Sequence, residues 1–390
     1  MLADLHAHYP MHVVGDVTPV TAVERMRQLS GRRSLGDKGR ALALGILSRL
    51  FSDRDWWAGY RVTVPHIREG GVGLVLSVLY RPFEEMDLEK PYTAPPDSRY
   101  FAKLVQDLDD VQAEVDGQDQ ALIRVVRSRD ELDRCLDAGA TALVHCVEGG
   151  FHLGDTDAEI ERNVATLAGR GIAYITLAHL FFRQVATNAP AIPFLPDSVY
   201  DRLFPQEAGA GLTARGAAAV RAMVKHRVTI DISHMRPDAV AETFALLDEL
   251  DRDRTVPVIS SHAGYRFGGQ EYMHDEETVR QIQRRDGVIG LIMAQHQLND
   301  GVRKKRAKSL PESLEVIRRH IDEIARITGS HRHVAIGSDF DGFIKPTMGG
   351  LEDMRAMKEL ERELRAHYKG DADLIVSENA LRVLRKAWTA

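Results

Sequence analysis

Two histidines separated by one residue, His6 and His8, end a short apolar run at the start of the chain. Side chains alternate along a β-strand, so residues i and i+2 point to the same face. If this run is a strand, both imidazoles face one point in space and can bind the same metal ion. The spacing therefore predicts part of a metal site.

Four further side chains that bind metals or carry protons stand just past later apolar runs, namely Glu148, His234, His262 and Asp339. A lone histidine is more often a packed core or surface residue than a ligand, but scattered structural residues would not recur at the ends of separate runs. A carboxylate can bridge two ions roughly 3.5 to 4 Å apart. Imidazole with carboxylate indicates zinc, and manganese, iron and cobalt stay open as alternatives.

The elements that position these side chains follow a repeated pattern. Short runs rich in Val, Ile, Leu and Ala alternate with helical patterns, which indicates parallel strands joined by helices. Eight runs are predicted as strands: residues 2–5 and the runs that end at Tyr80, Val147, Ala178, Ser233, Ser261, Ala294 and Ser338. Helices are predicted over residues 99–115, 158–170, 214–226, 237–250, 276–285 and 311–328.

Eight strand-helix units predict an α/β fold, a (β/α)₈ TIM-type barrel with helical insertions, which needs roughly 250 residues. The 390 residues are interpreted as one domain, 1–390, with an insertion at about 28–60. The favoured interpretation of this insertion is a helical excursion packed on the barrel, and a lid or dimer surface is the alternative. Residues 187–210 follow the fourth run and are expected to overhang the active face.

Composition limits the classes of binding partner and the cellular location that we expect for this protein. The chain is 44% hydrophobic and 28% charged with a formal net charge of -6, so neither a nucleic-acid nor an anionic-membrane partner is expected. The absence of a signal-like segment and of a long apolar run predicts a cytoplasmic protein. Cys135 and Cys146 form no CxxC pair and are expected to be reduced thiols.

Six ordered motifs resemble those of the membrane (renal) dipeptidase family of the amidohydrolase superfamily. They are HCVEGG around Glu148, AYITLAHL around His179, GLTARG at 211–216, TIDISHM around His234, VISSHAG around His262 and AIGSDFDG around Asp339. GLEDM at 350–354 and SENALRVL near the C-terminus extend the resemblance over nearly the whole chain.

The resemblance implies a zinc peptidase with two ions, whose bridging hydroxide attacks the peptide bond of a dipeptide, often with a D-residue at the C-terminal position. It implies the metal ligands His6, His8, Glu148, His234 and His262. Asp339 would handle the proton of the bridging water, and His179 would contact the substrate carbonyl. Asp341 is the rival for the role of Asp339, which is favoured because it directly follows the strand. The resemblance also implies a homodimer.

Two departures from the family pattern affect these expectations. The family has His-x-Asp on its first strand, whereas this chain has His6-x-His8, which preserves a ligand but removes one negative charge. The family also has an Arg about eleven residues beyond the SH motif, where it would bind the dipeptide carboxylate. Met273 stands near that point, and Arg266 is the nearest guanidinium that could take over the contact.

The resulting hypothesis is a dinuclear zinc-dependent hydrolase of dipeptides. One alternative keeps the metals but acts on another amide, a lactam or an ester. The other is a barrel that binds a metabolite without turnover. Such a protein is expected to have lost metal-ligand or proton-transfer residues, but this chain retains Glu148, His234, His262 and Asp339.

Overall fold

In the part of the chain that the structure describes, nine parallel strands form one sheet, and eight of them close into a barrel. The computed structural model of the chain describes residues 1–14, 59–81, 85, 99–193, 195–342, 344 and 346–388. The strands are β1 (Leu2–Ala7), β2 (Val72–Leu79), β3 (Ile123–Val125), β4 (Thr141–Glu148), β5 (Tyr174–Thr176), β6 (Thr229–Asp231), β7 (Val258–Ala263), β8 (Ile289–Leu291) and β9 (Val334–Ile336).

The barrel closes because β2 pairs in parallel with both β1 and β4, while β9 pairs with β1. The ring therefore runs β1-β2-β4-β5-β6-β7-β8-β9 and returns to β1. Almost every strand residue is buried, as expected where side chains fill the barrel on one face and helices cover the other. The predicted TIM-type class and all eight predicted strands are confirmed.

The strand β3 was not predicted from the sequence. It pairs only with the first residues of β4, Thr141 to Leu143, and lies outside the ring. Three residues with Arg124 at the centre give neither an apolar run nor a period that could identify a strand.

Helices surround the barrel, and all six predicted helices are found within one residue of the predicted bounds. The helices are α1 (Val64–Glu69), α2 (Arg99–Asp116), α3 (Arg129–Asp137), α4 (Asp157–Gly169), α5 (Asp197–Leu203), α6 (Ala214–Lys225), α7 (Pro237–Leu250), α8 (Glu276–Arg284), α9 (Gln295–Leu298), α10 (Leu310–Thr328), α11 (Met357–Tyr368) and α12 (Asn379–Ala387). Short sequence signals determine where several helices begin or end. Thr156 and Glu159 form a capping box at the start of α4. Gly329 ends α10 at a φ of 75°, which glycine adopts without strain.

Two predicted segments connect these elements. Residues 187–210 link β5 to α6 and contain the short helix α5. The predicted insertion at 28–60 lies outside the described residues except for its last two positions, so its interpretation stays a prediction. Within the described ranges, no helix is both long enough and apolar enough to span a bilayer.

Candidate metal centre

The five predicted metal ligands meet at the C-terminal mouth of the barrel. His6 and His262 lie in β1 and β7, and Glu148 is the last residue of β4. His8 follows β1 directly, and His234 stands three residues beyond β6. All five side chains are buried, so strands that are far apart in sequence bring them to one enclosed point.

Glu148 stands at the centre of this group. Its Oε1 lies 3.4 Å from Nε2 of His6 and 3.5 Å from Nε2 of both His234 and His262. Its Oε2 lies 3.6 Å from Nε2 of His8. The potential ligand atoms of the described residues form three groups, and two of them share this carboxylate, His6-His8-Glu148 and Glu148-His234-His262; the third is His6-Asp231-His262. A carboxylate between two imidazole pairs is an arrangement that can hold two cations.

The hydrogen bonds around these atoms fit a metal site. Both carboxylate oxygens of Glu148 and Nε2 of His6 are buried without a hydrogen-bond partner among the described residues. Buried polar atoms are rarely left unpaired, because their desolvation is then uncompensated. Nε2 of His234 also faces Nε2 of His262 at 2.9 Å. Inward-facing lone pairs of this kind suit divalent cations bound by nitrogen and oxygen.

Burial sets the protonation of the histidines in the way that metal binding needs. It lowers the pKa of His6 and His262 well below the ordinary value, helped by the neighbouring imidazoles, and it lowers that of His234 to about 4. These rings are therefore neutral at pH 7. Burial raises the pKa of Glu148 well above its usual range, and a cation beside the carboxylate would reverse that effect.

Asp339 lies beside the cluster, three residues after β9. Its Oδ1 is 3.1 Å from Nε2 of His8, and its backbone N–H donates to the carbonyl of His6 at 2.8 Å. Burial lowers the pKa of His8, but the hydrogen bond to Asp339 and the charge of Glu148 outweigh burial and raise it. The φ of Asp339 is 59° and that of His234 is 66°, a left-handed conformation that side chains other than glycine rarely adopt outside functional sites.

Asp341, the rival for the role of Asp339, has a different set of partners. Its carboxylate accepts backbone N–H groups of Arg61 at 3.0 and 2.9 Å and of Val62 at 2.9 Å. It thereby ties the loop after β9 to the segment before α1. This structural role supports the choice of Asp339 as the group that faces the histidines.

Ser261 and Asp231 support the cluster, and neither was predicted as a site residue. The hydroxyl of Ser261 donates to Oδ2 of Asp231 at 2.6 Å, and it lies 2.9 Å from Nδ1 of His6 and 2.8 Å from Nδ1 of His262. Nδ1 of His6 also lies 2.9 Å from the hydroxyl of Tyr174, which donates to the carbonyl of Leu5. Because the hydroxyls of Ser261 and Tyr174 give their own protons to other acceptors, Nδ1 of His6 and of His262 donates to them, and both rings turn their Nε2 lone pairs toward Glu148.

Asp231 is therefore an orienting group, although its atoms also fall within ligand distance of His6 and His262. Its Oδ1 accepts from the backbone and hydroxyl of Ser233, and its Oδ2 from Thr176 as well as Ser261. A carboxylate inside the apolar strand β6 was the sequence signal that could have identified it.

His179 faces the other oxygen of Glu148, with its Nε2 3.4 Å from Oε2. Its Nδ1 is 2.7 Å from Oε2 of Glu85, which also accepts the Tyr80 hydroxyl at 2.6 Å. Oε1 of Glu85 accepts the backbone N–H of Phe181 at 3.0 Å. Burial raises the pKa of Glu85 and lowers that of His179. Glu85 was missed because nothing in the acidic run at 84–89 distinguishes it from its neighbours.

Arg266 does not join the cluster. Its Nε donates to the carbonyl of Met273 at 2.8 Å and its Nη2 to that of Glu271 at 3.1 Å, so the guanidinium braces its own loop. Met273 is buried. A small pocket opens over the metal ligands and is lined by His8, His179, His234, Tyr272 and Asp339 together with four other residues. None of the described residues in this metal pocket is an arginine or lysine.

Comparison with known proteins identifies related folds and the family of this chain. A metallopeptidase from Rhodobacter sphaeroides, solved with a phosphinate mimic of the dipeptide L-Ala-D-Ala, has the same fold, with a TM-score of 0.68 at 18% identity over 99% of each chain. An uncharacterised protein in the pqqA 5′ region of Klebsiella pneumoniae is 27% identical over 273 residues, 68% of this chain and 89% of its own length.

An uncharacterised dipeptidase of Schizosaccharomyces pombe is 29% identical over 224 residues, which are 57% of this chain and 46% of that protein. The chain thus spans about half the length of this relative. The sequence profile of the membrane dipeptidase family, peptidase family M19, matches residues 39–390. Because this match covers most of its length, the chain belongs to the membrane dipeptidase family of metallopeptidases.

Proposed function

We propose that this protein is a dinuclear zinc hydrolase that cleaves the peptide bond of dipeptides, L,D as well as L,L. The observation that carries the proposal is the pair of ligand groups that share Glu148. Neutral imidazoles with one carboxylate favour zinc. The Rhodobacter sphaeroides relative, crystallised with a mimic of L-Ala-D-Ala, supports the inclusion of L,D dipeptides.

The metal ions and the side chains around them would have separate roles in the reaction. The two ligand groups that share Glu148 would hold two zinc ions, which would lower the pKa of bound water and so supply a nucleophile near neutrality. Asp339 accepts the proton that the water gives up and returns it to the leaving amine. Its Oδ1 is suitably located, 3.1 Å from Nε2 of His8 and 3.8 Å from Nε2 of His6, at the edge of the ligand group.

His179 stabilises the charge that develops on the substrate carbonyl oxygen. To donate from Nε2 while Nδ1 is bonded to Glu85, the pair must hold two protons. Because burial raises the pKa of Glu85 and lowers that of His179, Glu85 carries one of them and donates it to Nδ1, and His179 stays neutral with its other proton on Nε2. The hydroxyl of Tyr80 and the N–H of Phe181 keep the Glu85 carboxyl group in place.

Hydrolysis of a dipeptide panel tests this proposal. Metal-free protein is reconstituted with two equivalents of zinc and assayed with L-Ala-L-Ala and L-Ala-D-Ala as well as bulkier L,L and L,D pairs. We expect hydrolysis of both stereochemical classes, loss of activity with a chelator and recovery with zinc. Failure to cleave any dipeptide by the zinc-loaded, folded protein would reject the dipeptidase function.

A second candidate is hydrolysis of another amide, a lactam or an ester. It is favoured by the absence of an arginine or lysine from the described lining of the metal pocket, where a dipeptide carboxylate would otherwise find its counter-charge. Metal-dependent turnover of such substrates alone, with none of the dipeptides, would select it. The homodimer and the cytoplasmic location implied from the sequence stay predictions.

A further inference from the structure

Two cavities of very different size lie at the mouth of the barrel. The metal pocket has a volume of about 10 Å³, roughly the room of a single water. A second cavity, here called the outer cavity, has a volume of about 590 Å³, within the range of small-molecule binding sites. The body of a substrate therefore fits the outer cavity and not the metal pocket.

The two cavities are bordered by the same three segments of chain. The metal pocket is lined by Ala191, Gln297 and Ile344, and the outer cavity by Pro193, Gln295, His296 and Pro346. These segments follow β5, β8 and β9, so they all belong to the C-terminal face of the barrel. A substrate whose scissile bond reaches the metal ligands can therefore extend along these shared segments toward the outer cavity.

The wall of the outer cavity is strongly basic. Four consecutive cations, Arg303, Lys304, Lys305 and Arg306, line it, although the chain as a whole has a net charge of -6. Asp300 is the single carboxylate among the described lining residues. This concentration of positive charge attracts an anion.

The charges of this wall are not all equally available. Arg303 pairs with Glu312 and Glu315, and the carboxylate of Asp300 accepts the backbone N–H of Gln270 at 2.9 Å. Lys304 and Lys305 are exposed and form no ion pair with any residue in the described part of the chain. These two ammonium groups are therefore the ones we expect to meet a ligand.

Hydrogen bonds anchor the basic segment to the barrel. The side-chain nitrogen of Gln295 donates to the carbonyls of Ala307 and Thr347 at 2.7 and 2.8 Å. Its oxygen accepts the N–H of Ala307 at 2.8 Å. The end of the segment, two residues beyond Lys305, is thus fixed to α9 and to the loop after β9.

We propose that the outer cavity is a subsite for an oxyanion of the substrate, in a peptide most simply a side-chain carboxylate, and that Lys304 and Lys305 bind it. The preferred substrates are then peptide-like amides with a negative charge on the part that lies outside the metal pocket. The hydrolysis of these substrates rests on the proposed function, whereas the binding of an anion in the outer cavity does not.

A matched pair of dipeptides tests the preference. Ala-Glu and Ala-Gln are nearly isosteric and differ by one charge. We expect wild-type protein to hydrolyse Ala-Glu with a kcat/KM about tenfold higher at low salt, and the preference to shrink as salt screens the lysines. Lys304→Gln with Lys305→Gln should remove it. Lys308→Gln, an exposed lysine of the same segment that does not line the cavity, should keep it.

Calorimetric binding of inorganic phosphate to the metal-free protein tests the site without turnover. We expect the double lysine variant to bind at least about fivefold more weakly than wild type and Lys308→Gln, since each charged contact contributes modestly. Equal phosphate affinities in wild type and double variant would overturn the proposal, whatever the rates. Equal kcat/KM values for Ala-Glu and Ala-Gln would overturn the stated substrate preference.

If phosphate binds through the two lysines but no dipeptide is hydrolysed, the proposed function fails and the anion site stands. If both dipeptides are cleaved equally and the double lysine variant binds phosphate as tightly as wild type, the proposed function stands and the anion site fails.

Discussion

The metal cluster and the outer cavity occupy the same face of the barrel but are built differently. The cluster consists of buried side chains at the ends of strands, with His6 and His262 oriented through Ser261. The outer cavity is lined by the short helix α9, by loops and by exposed cations such as Lys304. If the two proposals hold, residues at the strand ends act in metal binding and in the reaction, and residues of the outer cavity act in the choice of substrate. Substitutions in the two regions should therefore have different signatures.

The largest effect is expected from Glu148→Gln. Glutamine retains the shape but loses the charge between the two imidazole pairs, so the protein should bind fewer than two zinc ions and lose more than about a thousandfold in kcat/KM, the scale of several kcal/mol. Metal analysis after gel filtration and dipeptide assays measure both quantities. Glu161→Gln, at an exposed ion pair with Lys225, is the control. Full zinc content with full activity would refute the bridging role.

Asp339→Asn should separate chemistry from metal binding. The amide cannot accept the proton, so kcat should fall by roughly 10²- to 10⁴-fold while zinc content stays near the wild-type value. Asp341→Asn is the matched control: it weakens the backbone contacts to Arg61 and Val62 and should lower Tm more than kcat. An unchanged rate in Asp339→Asn would contradict its assignment to proton transfer.

Ser261→Ala should have an intermediate effect on the cluster. It removes the hydroxyl that accepts from His6 and His262 and donates to Asp231, and loss of such orienting partners typically costs roughly 10- to 100-fold in metal affinity. Competition with a chelator measures that affinity. Ser260→Ala removes the adjacent hydroxyl, whose partners are His274 and the hydroxyl of Ser233 rather than a ligand imidazole, and should lower zinc affinity less than Ser261→Ala does. The same loss in both variants would show a general packing effect.

The smallest effect is expected on the pH dependence of stability, from a buried histidine outside the metal ligands, His320. His320 accepts the backbone N–H of Tyr265 at Nδ1 and donates from Nε2 to the carbonyl of Leu298. Burial lowers its pKa from 6.5 to about 4. The unfolded chain therefore takes up this proton first as the pH falls, and the free energy of unfolding decreases between about pH 6.5 and 4.

His320→Gln should reduce this loss of stability by about 2 kcal/mol at pH 4.5 relative to pH 7. Urea unfolding of the metal-free wild-type and variant proteins at the two pH values gives the difference, and other buried histidines cancel in the comparison. Identical pH dependence would mean that His320 is not held neutral. Zinc affinity at pH 7 should not change, because His320 contacts no metal ligand.

Short-range patterns in the sequence predict the barrel and the side chains that the structure brings together at its mouth. Apolar runs predict the strands, and polar residues at the strand ends, such as His6 and Glu148, must meet once the runs close into a ring. Family membership confirms the predicted class of enzyme, a metal-dependent dipeptidase. Orienting residues were harder to predict, because Ser261 and Asp231 act only through contacts between β6 and β7.

The contacts of Glu85 and Arg266 could not be predicted in the same way. Glu85 reaches His179 across 94 positions of sequence from an acidic run without any regular pattern. The direction of Arg266 depends on carbonyl groups of its own loop, which residue spacing does not reveal. Loop conformation of this kind is set by tertiary contacts rather than by local propensity.

Titration of metal-free protein with zinc, with dipeptide hydrolysis followed at each point, tests the central claim most directly. Two sites that share Glu148 predict saturation at two equivalents per chain, with the rate rising mainly as the second equivalent binds. Full activity at one equivalent, or saturation below two, would contradict the dinuclear centre.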